Sequence, residues 1–320
     1  MNPKQLVQEK IKTLGGWVNT HAHLDRAYTL TPDNFQYSYS YLKEKWHLVD
    51  EMKQAATVDD IYRRMSQAVE LFIEQGAQAI GTFIDVDDKI EDKAIKAAMK
   101  IRENYKNDLE IRFANQVLKG VIDPKARKWF DMSVDFVDII GGLPAKDAGK
   151  EEEHLDILLS TAKDKGKLVH VHVDQFNTDE EKETEQLAHK TIEHGMQGKV
   201  SAIHCISLAA HPRQYREQVY DLLKKAEVHI ISCPTAWIDH NRTERLAPSH
   251  NSITPVDEMV PAGLNVAFGT DNICDIYKPF SDGDLWTEMR VMLEACHFYN
   301  VEELAKIATV NGLKALGIEK

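Results

Sequence analysis

The chain has 320 residues, of which 43% are hydrophobic and 28% are charged. This is the composition of an ordinary globular protein, and the chain is long enough to bury a large core. The formal net charge of −12 argues against nucleic acid or an anionic membrane as the main partner. No apolar run approaches the roughly 20 residues that a membrane-spanning helix requires.

The four cysteines are too far apart in sequence to form a Cys-x-x-Cys site. Because the start of the chain also lacks a secretory signal, we expect reduced thiols in a cytoplasmic protein. No Gly-, Pro- or Ser-rich linker divides the chain, which predicts a single domain over 1–320. The oligomeric state is left open, since an oligomer is compatible with this sequence.

Strand-like and helical segments alternate along the chain. A polar, helical amino end at 1–14 precedes a short apolar strand, and an aromatic-rich segment follows at 28–53. Further strands are predicted at 77–85, 110–117, 134–141, 167–174, 199–206, 227–233 and 265–271. Helices are predicted at 58–74, 93–105, 124–132, 151–165, 179–194, 213–225 and 255–262, and near 286–298 and 301–313. Eight such strands predict an α/β fold, a parallel (β/α)8 TIM barrel with extra terminal helices.

The aromatic-rich segment at 28–53 has two readings. In a barrel it would form a loop and helix over the mouth, where Tyr28, Tyr37 and Trp46 could make a wall for a flat substrate. Equally, its aromatic side chains could simply pack the segment against itself.

The first predicted strand ends in the sequence His21-Ala22-His23. Alternate side chains of a strand share one face, so both imidazoles point the same way from the carboxyl end of the strand. Two imidazoles in this arrangement can hold one divalent metal ion. The pair alone is weak support, because His-x-His arises by chance in many chains.

Other reactive side chains lie near the ends of later strands. His170, His172 and Asp174 alternate along the fifth strand, His204 lies near the end of the sixth, and Asp271 ends the eighth. Barrel enzymes place their sites at the carboxyl ends of the strands. Three histidines and an aspartate gathered there would make a mononuclear site suited to Zn²⁺, Fe²⁺ or Mn²⁺.

The remaining polar residues can also be interpreted as structural or surface residues. His170 lies one barrel layer deeper than His172, which favours a core or supporting role. Asp85 and Asp87 end the second strand, where a substrate contact and a solvated turn are equally compatible with the sequence. His240 follows the seventh strand and could reach the mouth. The other histidines are interpreted as surface or structural residues: His47, His154, His189, His194, His211, His229, His250 and His297.

These motifs together resemble the amidohydrolase superfamily, and in particular its cytosine deaminase-like branch. The resemblance covers almost the whole barrel. It rests on HAHLD at 21–25, TFIDV at 82–86, HVD at 172–174, AIH at 202–204, FGTDN at 268–272 and TVNGLKALG at 309–317.

The resemblance implies a role for each matching residue. One divalent metal, Zn or Fe with Mn as a further candidate, would be held by His21, His23, His172 and Asp271. His204 would polarise the attacking water and the tetrahedral oxyanion, and Asp271 would also accept the proton of the water. A divalent metal lowers the pKa of bound water from 15.7 to roughly 7, which makes hydroxide available at neutral pH.

Several positions depart from the family pattern. Gln175 stands where pyrimidine deaminases of this branch carry a glutamate that shuttles a proton, and an amide cannot do this. Asp174, His204 or Asp271 would then take the role, or the substrate does not need ring protonation. Leu118 occupies the place of a glutamine that reads pyrimidines, with Lys119 beside it, and Asn272 replaces an aspartate.

Two further departures concern a cation and the architecture. Arg26 stands where some relatives acting on triazines carry a lysine, and such a cation could bind a carboxylate or an oxo group, or simply pair with Asp25. The chain also has no room for the flanking β-sandwich of most relatives, so we expect the barrel to lack it.

The sequence therefore predicts a metal-dependent hydrolase that cleaves a C–N bond of a nitrogen heterocycle by attack of a metal-bound hydroxide. Its partner would be a small heterocyclic substrate rather than nucleic acid or membrane. The alternatives are a cyclic amide (lactam) hydrolase of the same superfamily and a catalytically degenerate barrel that acts as a binding protein. The predicted substrate contacts are Arg26, Leu118, Lys119, Asp174, Trp237 and Asn272.

Overall fold

A computed structural model describes residues 2–238 and 252–319. In these residues a single parallel sheet contains eight strands in the order β1 to β8. The strands are Trp17–Ala22 (β1), Ala77–Asp85 (β2), Glu110–Gln116 (β3), Ile139–Gly142 (β4), Leu168–Val173 (β5), Val200–His204 (β6), His229–Ser232 (β7) and Val266–Phe268 (β8). The eighth strand returns to the first through a parallel bridge between Ala22 and Asp271. The predicted (β/α)8 barrel is therefore confirmed.

The helices follow the strands around the outside of the barrel. They are Pro3–Thr13 (α1), Leu42–Ala55 (α2), Val58–Glu74 (α3), Lys93–Tyr105 (α4), Pro124–Ser133 (α5), Glu151–Lys165 (α6), Glu183–His194 (α7), Arg213–Lys225 (α8), Val256–Met259 (α9), Leu285–Ala295 (α10), Val301–Ile307 (α11) and Val310–Ala315 (α12). Short 3₁₀ turns lie at Phe35–Tyr39, Pro144–Asp147, Ile206–Ala210 and Pro234–Ile238. No strand outside the barrel sheet and no helix able to cross a membrane occurs in the described residues.

Local sequence explains where the outer helices begin and which face they bury. The hydroxyl of Thr57 caps α3 by accepting a hydrogen bond from the backbone of Asp60 at 3.1 Å. One apolar stripe of α3, including Ile61, Met65 and Phe72, is fully buried against the barrel. This is the 3.6-residue periodicity from which the helix was predicted.

The fourth strand begins later than the sequence predicts. Val134 ends α5 and Val137 lies in the following turn, although both side chains are buried in the core. The pairing with β5 covers only Ile139–Gly142. Apolar side chains that pack a turn were thus mistaken for strand residues, because burial alone does not distinguish the two.

The last predicted helix is also divided. Thr309 interrupts it with φ −139° and ψ −97°, so that α11 ends at Ile307 and α12 starts at Val310. The break brings Gly312 against β1, where an added Cβ would lie 2.6 Å from Thr20 Oγ1. The end of the chain closes the amino-terminal end of the barrel in this way.

Candidate metal centre and active site

Four histidines from three strands converge inside the carboxyl-terminal rim. The ring centroids of His21 and His172 lie 4.8 Å apart, as do those of His21 and His23. His204 lies 5.5 Å from His172 and 5.8 Å from His21. The structure thus brings together side chains that are up to 183 positions apart in sequence (204 minus 21).

Asp271 completes this cluster from the junction where the end of β8 meets β1, which is called the seam below. Its backbone N–H donates to His21 O at 3.0 Å, and its own carbonyl accepts from His23 N–H at 3.3 Å. Its Oδ1 lies 3.3 Å from His21 Nε2 and 3.2 Å from His23 Nε2. The bridge that closes the barrel therefore also carries the carboxylate to the imidazoles.

The segment after β8 can approach β1 this closely only because residue 269 is a glycine. A Cβ on Gly269 would lie 2.6 Å from His21 O and 2.7 Å from His21 N, which are impossible contacts. Beside it, Asn19 Nδ2 donates to Thr270 Oγ1 at 2.9 Å, while Thr270 N–H donates to Asn19 Oδ1 at 3.0 Å. These buried bonds fix the register of β8 against β1, and with it the position of Asp271.

The electrostatics favour the protonation states that bind metal. Burial lowers the pKa of His172 and of His23 well below the usual value and lowers that of His204 to about 4. Burial alone would raise the pKa of Asp271, but its short contacts with the imidazoles of His21 and His23 hold it well below the usual range. Neutral imidazoles and an ionised carboxylate are the forms in which these groups coordinate metal ions.

Several buried nitrogens of this cluster have no hydrogen-bond partner. They include both ring nitrogens of His21, Nε2 of His172 and Nδ1 of His204. His172 Nδ1 lies 3.2 Å from Gly142 O, so it carries the proton and leaves Nε2 as a bare acceptor. Unpartnered buried polar atoms are destabilising, and a cation satisfies them.

The donor set therefore fits a divalent metal. Nitrogen and oxygen atoms of His21, His23 and Asp271 lie within 4.8 Å of one another, and so do nitrogens of His21, His172 and His204. His21 belongs to both groups. Imidazole and carboxylate donors in this number suit Zn²⁺, Fe²⁺ or Mn²⁺.

A cavity opens directly above this cluster, lined by His23, His172, His204 and Asp271. Among the residues proposed from sequence as substrate or catalytic groups, Arg26, Leu118, Gln175 and Asn272 also line it.

Lys119 and Asp174 do not line this cavity. Lys119 Nζ forms an ion pair with Asp50 at 2.6 Å. The Asp174 carboxylate accepts hydrogen bonds from the backbone N–H groups of Glu183 at 2.8 Å and Thr184 at 3.3 Å. Both side chains are thus engaged elsewhere, Asp174 in capping the start of α7.

Two other expectations near the seventh strand concern Trp237 and His240. Trp237 falls in the short 3₁₀ turn after β7, and its side chain is outside the described part. His240 lies outside the described residues. His170, by contrast, is buried with Nε2 3.0 Å from Ala315 O, as a core residue would be.

Sequence reasoning missed part of the cavity wall. The missed residues are Gln116 at the end of β3, Leu42 on α2 and Tyr277 after β8. Trp46 on α2 also lines the cavity, as one interpretation of the aromatic-rich segment expected. Gln116 carried a usable signal, since it is a polar residue at a strand end. Leu42 and Tyr277 carried none, because only the packing of α2 over the mouth brings them there.

Comparisons with known proteins agree with this geometry. A model of the amidohydrolase family matches residues 14–320. A Haemophilus influenzae protein of unknown function is 54% identical over 262 residues, which are 81% of this chain and 95% of that protein. N-isopropylammelide isopropyl amidohydrolase of a Pseudomonas species is 25% identical, over 95% of this chain and 75% of its own length.

The barrel also matches solved structures. A 5-methylcytosine deaminase from Klebsiella pneumoniae superposes with a TM-score of 0.87 at 24% identity, over 94% of this chain and 74% of that one. At this identity the match supports the fold. Since the family model covers nearly the whole chain, the protein belongs to the amidohydrolase family and is a metal-dependent enzyme acting on C–N bonds.

Proposed function

We propose that the protein hydrolyses a C–N bond of a nitrogen heterocycle and releases ammonia or an amine. The observation that carries the proposal is the convergence of bare imidazole nitrogens and an ionised carboxylate at the floor of one cavity. Two of the similar proteins given above are, by their names, an N-isopropylammelide isopropyl amidohydrolase and a 5-methylcytosine deaminase. We further propose that the whole chain, 1–320, is one domain.

The proposed metal ligands are His21, His23, His172 and Asp271. When bound there, a divalent ion supplies Lewis-acid activation of a water nucleophile at neutral pH. His204 is adjacent to these proposed ligands, because one of its ring nitrogens lies within 4.8 Å of nitrogens of His21 and His172. Zinc, iron and manganese each suit these donors, and elemental analysis of the purified protein identifies the one that is present.

His204 and Asp271 are the proposed groups for proton transfer. Asp271 is ionised and can accept a proton at Oδ1 or Oδ2 from the attacking water. His204 is neutral, and its unpartnered Nδ1 can exchange a hydrogen bond with the water or with the developing oxyanion. Both side chains line the cavity in which the substrate must sit.

The glutamine at 175 restricts how the leaving group receives its proton. Gln175 lines the cavity, but an amide neither accepts nor releases a proton under these conditions. The carboxylate of Asp174 is occupied at the start of α7. We therefore assign delivery of the proton to His204 or Asp271, and propose Arg26, Leu118, Asn272 and Trp237 as substrate contacts.

The neutral side chain of Gln175 also favours a second candidate reaction, the hydrolytic opening of a cyclic amide. A lactam can be hydrolysed without protonation of an aromatic ring nitrogen, so the missing carboxylate at 175 does not oppose it. The two reactions differ in products, because ring opening of a lactam releases no ammonia.

A substrate panel with separate product assays tests the proposal. The protein, loaded with zinc, iron or manganese in turn, is incubated with aminated heterocycles and with lactams. Ammonia or amine release that disappears in His23→Ala supports the proposal. Ring opening without ammonia favours the lactam reaction. A protein that binds metal but converts no member of either set is a binding protein, and the proposal is then wrong.

A further inference from the structure

The side chain of Arg26 is buried in the cavity wall with unused hydrogen-bonding capacity. It is 9% exposed, and its Nε has no hydrogen-bond partner. Burial alone would lower its pKa, but Asp85 raises the pKa above the usual value, so the guanidinium stays charged. A buried guanidinium with free donors is destabilising unless an acceptor reaches it.

Among the described residues, no carboxylate oxygen lies within hydrogen-bond distance of the Arg26 guanidinium. The nearest carboxylate contact runs from Arg26 Nη1 to Asp85 Oδ2 at 3.6 Å, which is too long for a hydrogen bond. Asp85 instead lies 2.9 Å from Lys53 Nζ, which also contacts Asp87 at 2.6 Å. The guanidinium is held in place by the Tyr277 ring, 4.9 Å from its central carbon.

The cavity also offers little negative charge. Asp271 is the sole carboxylate among its described lining residues, and it faces the histidines. Gln175 contributes a neutral amide to the same lining. An anionic ligand would therefore meet a single carboxylate, Asp271, among the described lining residues, with Asp85 outside that lining at 3.6 Å from Arg26 Nη1.

Two lysine side chains lie against aromatic rings beside the cavity, although the chain carries a net charge of −12. Lys146 Nζ lies 4.1 Å from the Trp46 ring, and Lys43 Nζ lies 4.8 Å from the Phe176 ring. Trp46 lines the cavity and packs 6.2 Å from Phe176. Within the described residues no ion pair neutralises Lys43 or Lys146.

The electrostatics of Lys146 agree with this arrangement. Burial, followed by the neighbouring charges of Lys119 and Lys53, lowers the pKa of Lys146 to about 8. A cation is thus held against the aromatic wall of the cavity. Charges placed at a cavity can raise the association rates of oppositely charged ligands about 10- to 1,000-fold at low salt.

We propose that the substrate is an anionic heterocycle, whose carboxylate or ring oxyanion binds Arg26 while Lys43 and Lys146 draw it to the mouth. This inference rests on the proposed function, because it concerns the substrate of the same site. It is narrower, since C–N hydrolysis alone would accept a neutral ring. Arginine suits the role because its fork of N–H groups matches two oxygens at once.

Three probes that share one pyrimidine ring separate the sources of negative charge. Uracil is neutral, orotate adds a carboxylate, and barbiturate carries a ring oxyanion. Their dissociation constants are measured by calorimetry on the zinc-loaded protein at low and high salt. We expect at least one anion to bind about tenfold or more tightly than uracil, with an advantage that shrinks as salt rises.

Arg26→Met and its matched variant Arg26→Lys assign the effect to one residue. Arg26→Met should remove the preference for the anion over uracil, and Arg26→Lys should retain part of that preference. Because a buried variant can fail to fold, the exposed Lys43→Glu change combined with Lys146→Glu serves as a second test. It should slow association of the anion and leave that of uracil unchanged.

The outcomes separate this inference from the proposed function. Equal affinity for uracil and both anions overturns it, as does binding of every probe weaker than about 10 mM. An anion preference that survives Arg26→Met in a folded protein overturns the role of Arg26. If neutral heterocycles are hydrolysed while no anion preference exists, the proposed function stands and this inference alone fails.

Discussion

The site has two halves that are built in different ways. The floor is carried by strand ends of β1, β5, β6 and β8, and its side chains meet through the barrel geometry itself. The cover is carried by α2 and by the loops after β2 and β8. Trp46 and Tyr277 line the cavity there, and Lys53 on α2 pairs with Asp85 at the end of β2. The floor is rich in neutral imidazoles, whereas the cover is rich in paired and unpaired charges.

This difference shows which side-chain positions in the site follow from strand geometry and which depend on tertiary packing. In the floor, a residue two positions further along a strand faces the same way one layer higher, so His172 reaches the cavity while His170 bonds Ala315 O. In the cover, position depends on how a long insertion packs. We therefore expect floor substitutions to remove the metal and cover substitutions to change stability or substrate choice.

The largest expected effect is loss of metal on His172→Ala. Removing an acceptor nitrogen from the cluster should lower metal affinity by more than the roughly 10- to 100-fold typical of a supporting residue. Elemental analysis after dialysis measures it. His170→Ala is the matched control on the same strand, and it should keep its metal while losing stability. If a folded His172→Ala protein kept its normal metal content, the assignment of His172 to the metal site and of His170 to the core would be contradicted.

The next effect concerns the cover and should appear as lost stability. Lys53→Met leaves Asp85 and Asp87 buried without their shared cation, which typically costs about 3–5 kcal/mol. Urea unfolding of the metal-loaded protein measures the free energy of unfolding. Lys100→Met, which breaks an exposed pair with Asp59, should cost less than about 1 kcal/mol. Equal losses in the two variants would show that the buried network does not support the cover.

A smaller effect is expected where floor and cover meet, at Gln175→Glu. The new carboxylate would supply a proton-transfer group to the cavity, so deamination of a neutral aminopyrimidine should rise about tenfold or more. The same change should weaken anion binding through repulsion. Steady-state ammonia release on both substrate types measures it, with Gln175→Ala as control. No change with any substrate would place this position outside the proton path.

A further expected effect is a pH dependence of stability that arises in the segment between β5 and α7. Burial, followed by Asp174, raises the pKa of Glu181 from 4.5 to about 8 in the folded protein. Between these values the folded state holds a proton that the unfolded state has lost, so stability should fall as pH rises from about 5 to 8. Unfolding of wild type and Glu181→Gln across this range measures it. The variant should show the shallower decline, and parallel curves would contradict this origin.

The sequence was sufficient for most of the floor. Periodicity located the strands, and the positions of His21, His23, His172, His204 and Asp271 near strand ends predicted their convergence, which the structure shows. Motif resemblance added the family, which the comparison confirmed. The roles of individual residues stay predictions, because no measurement of chemistry bears on them.

The cover was harder to predict because its contacts are tertiary. Lys119 pairs with Asp50 on α2, which no local pattern indicates. Asp174 alternates correctly with His172 but follows the end of β5 at φ 53°, where the strand periodicity no longer holds. Its carboxylate therefore turns to the start of α7.

The closed seam also has a consequence for biosynthesis. Asn19 and Thr270, which lock β1 to β8, are separated by 251 positions. Gly269 and Asp271 can therefore reach His21 only after all the strands from β1 to β8 have been synthesised. A nascent chain that stops short of β8 already carries these imidazoles but lacks the Asp271 carboxylate, so binding of the ion should follow the synthesis of β8.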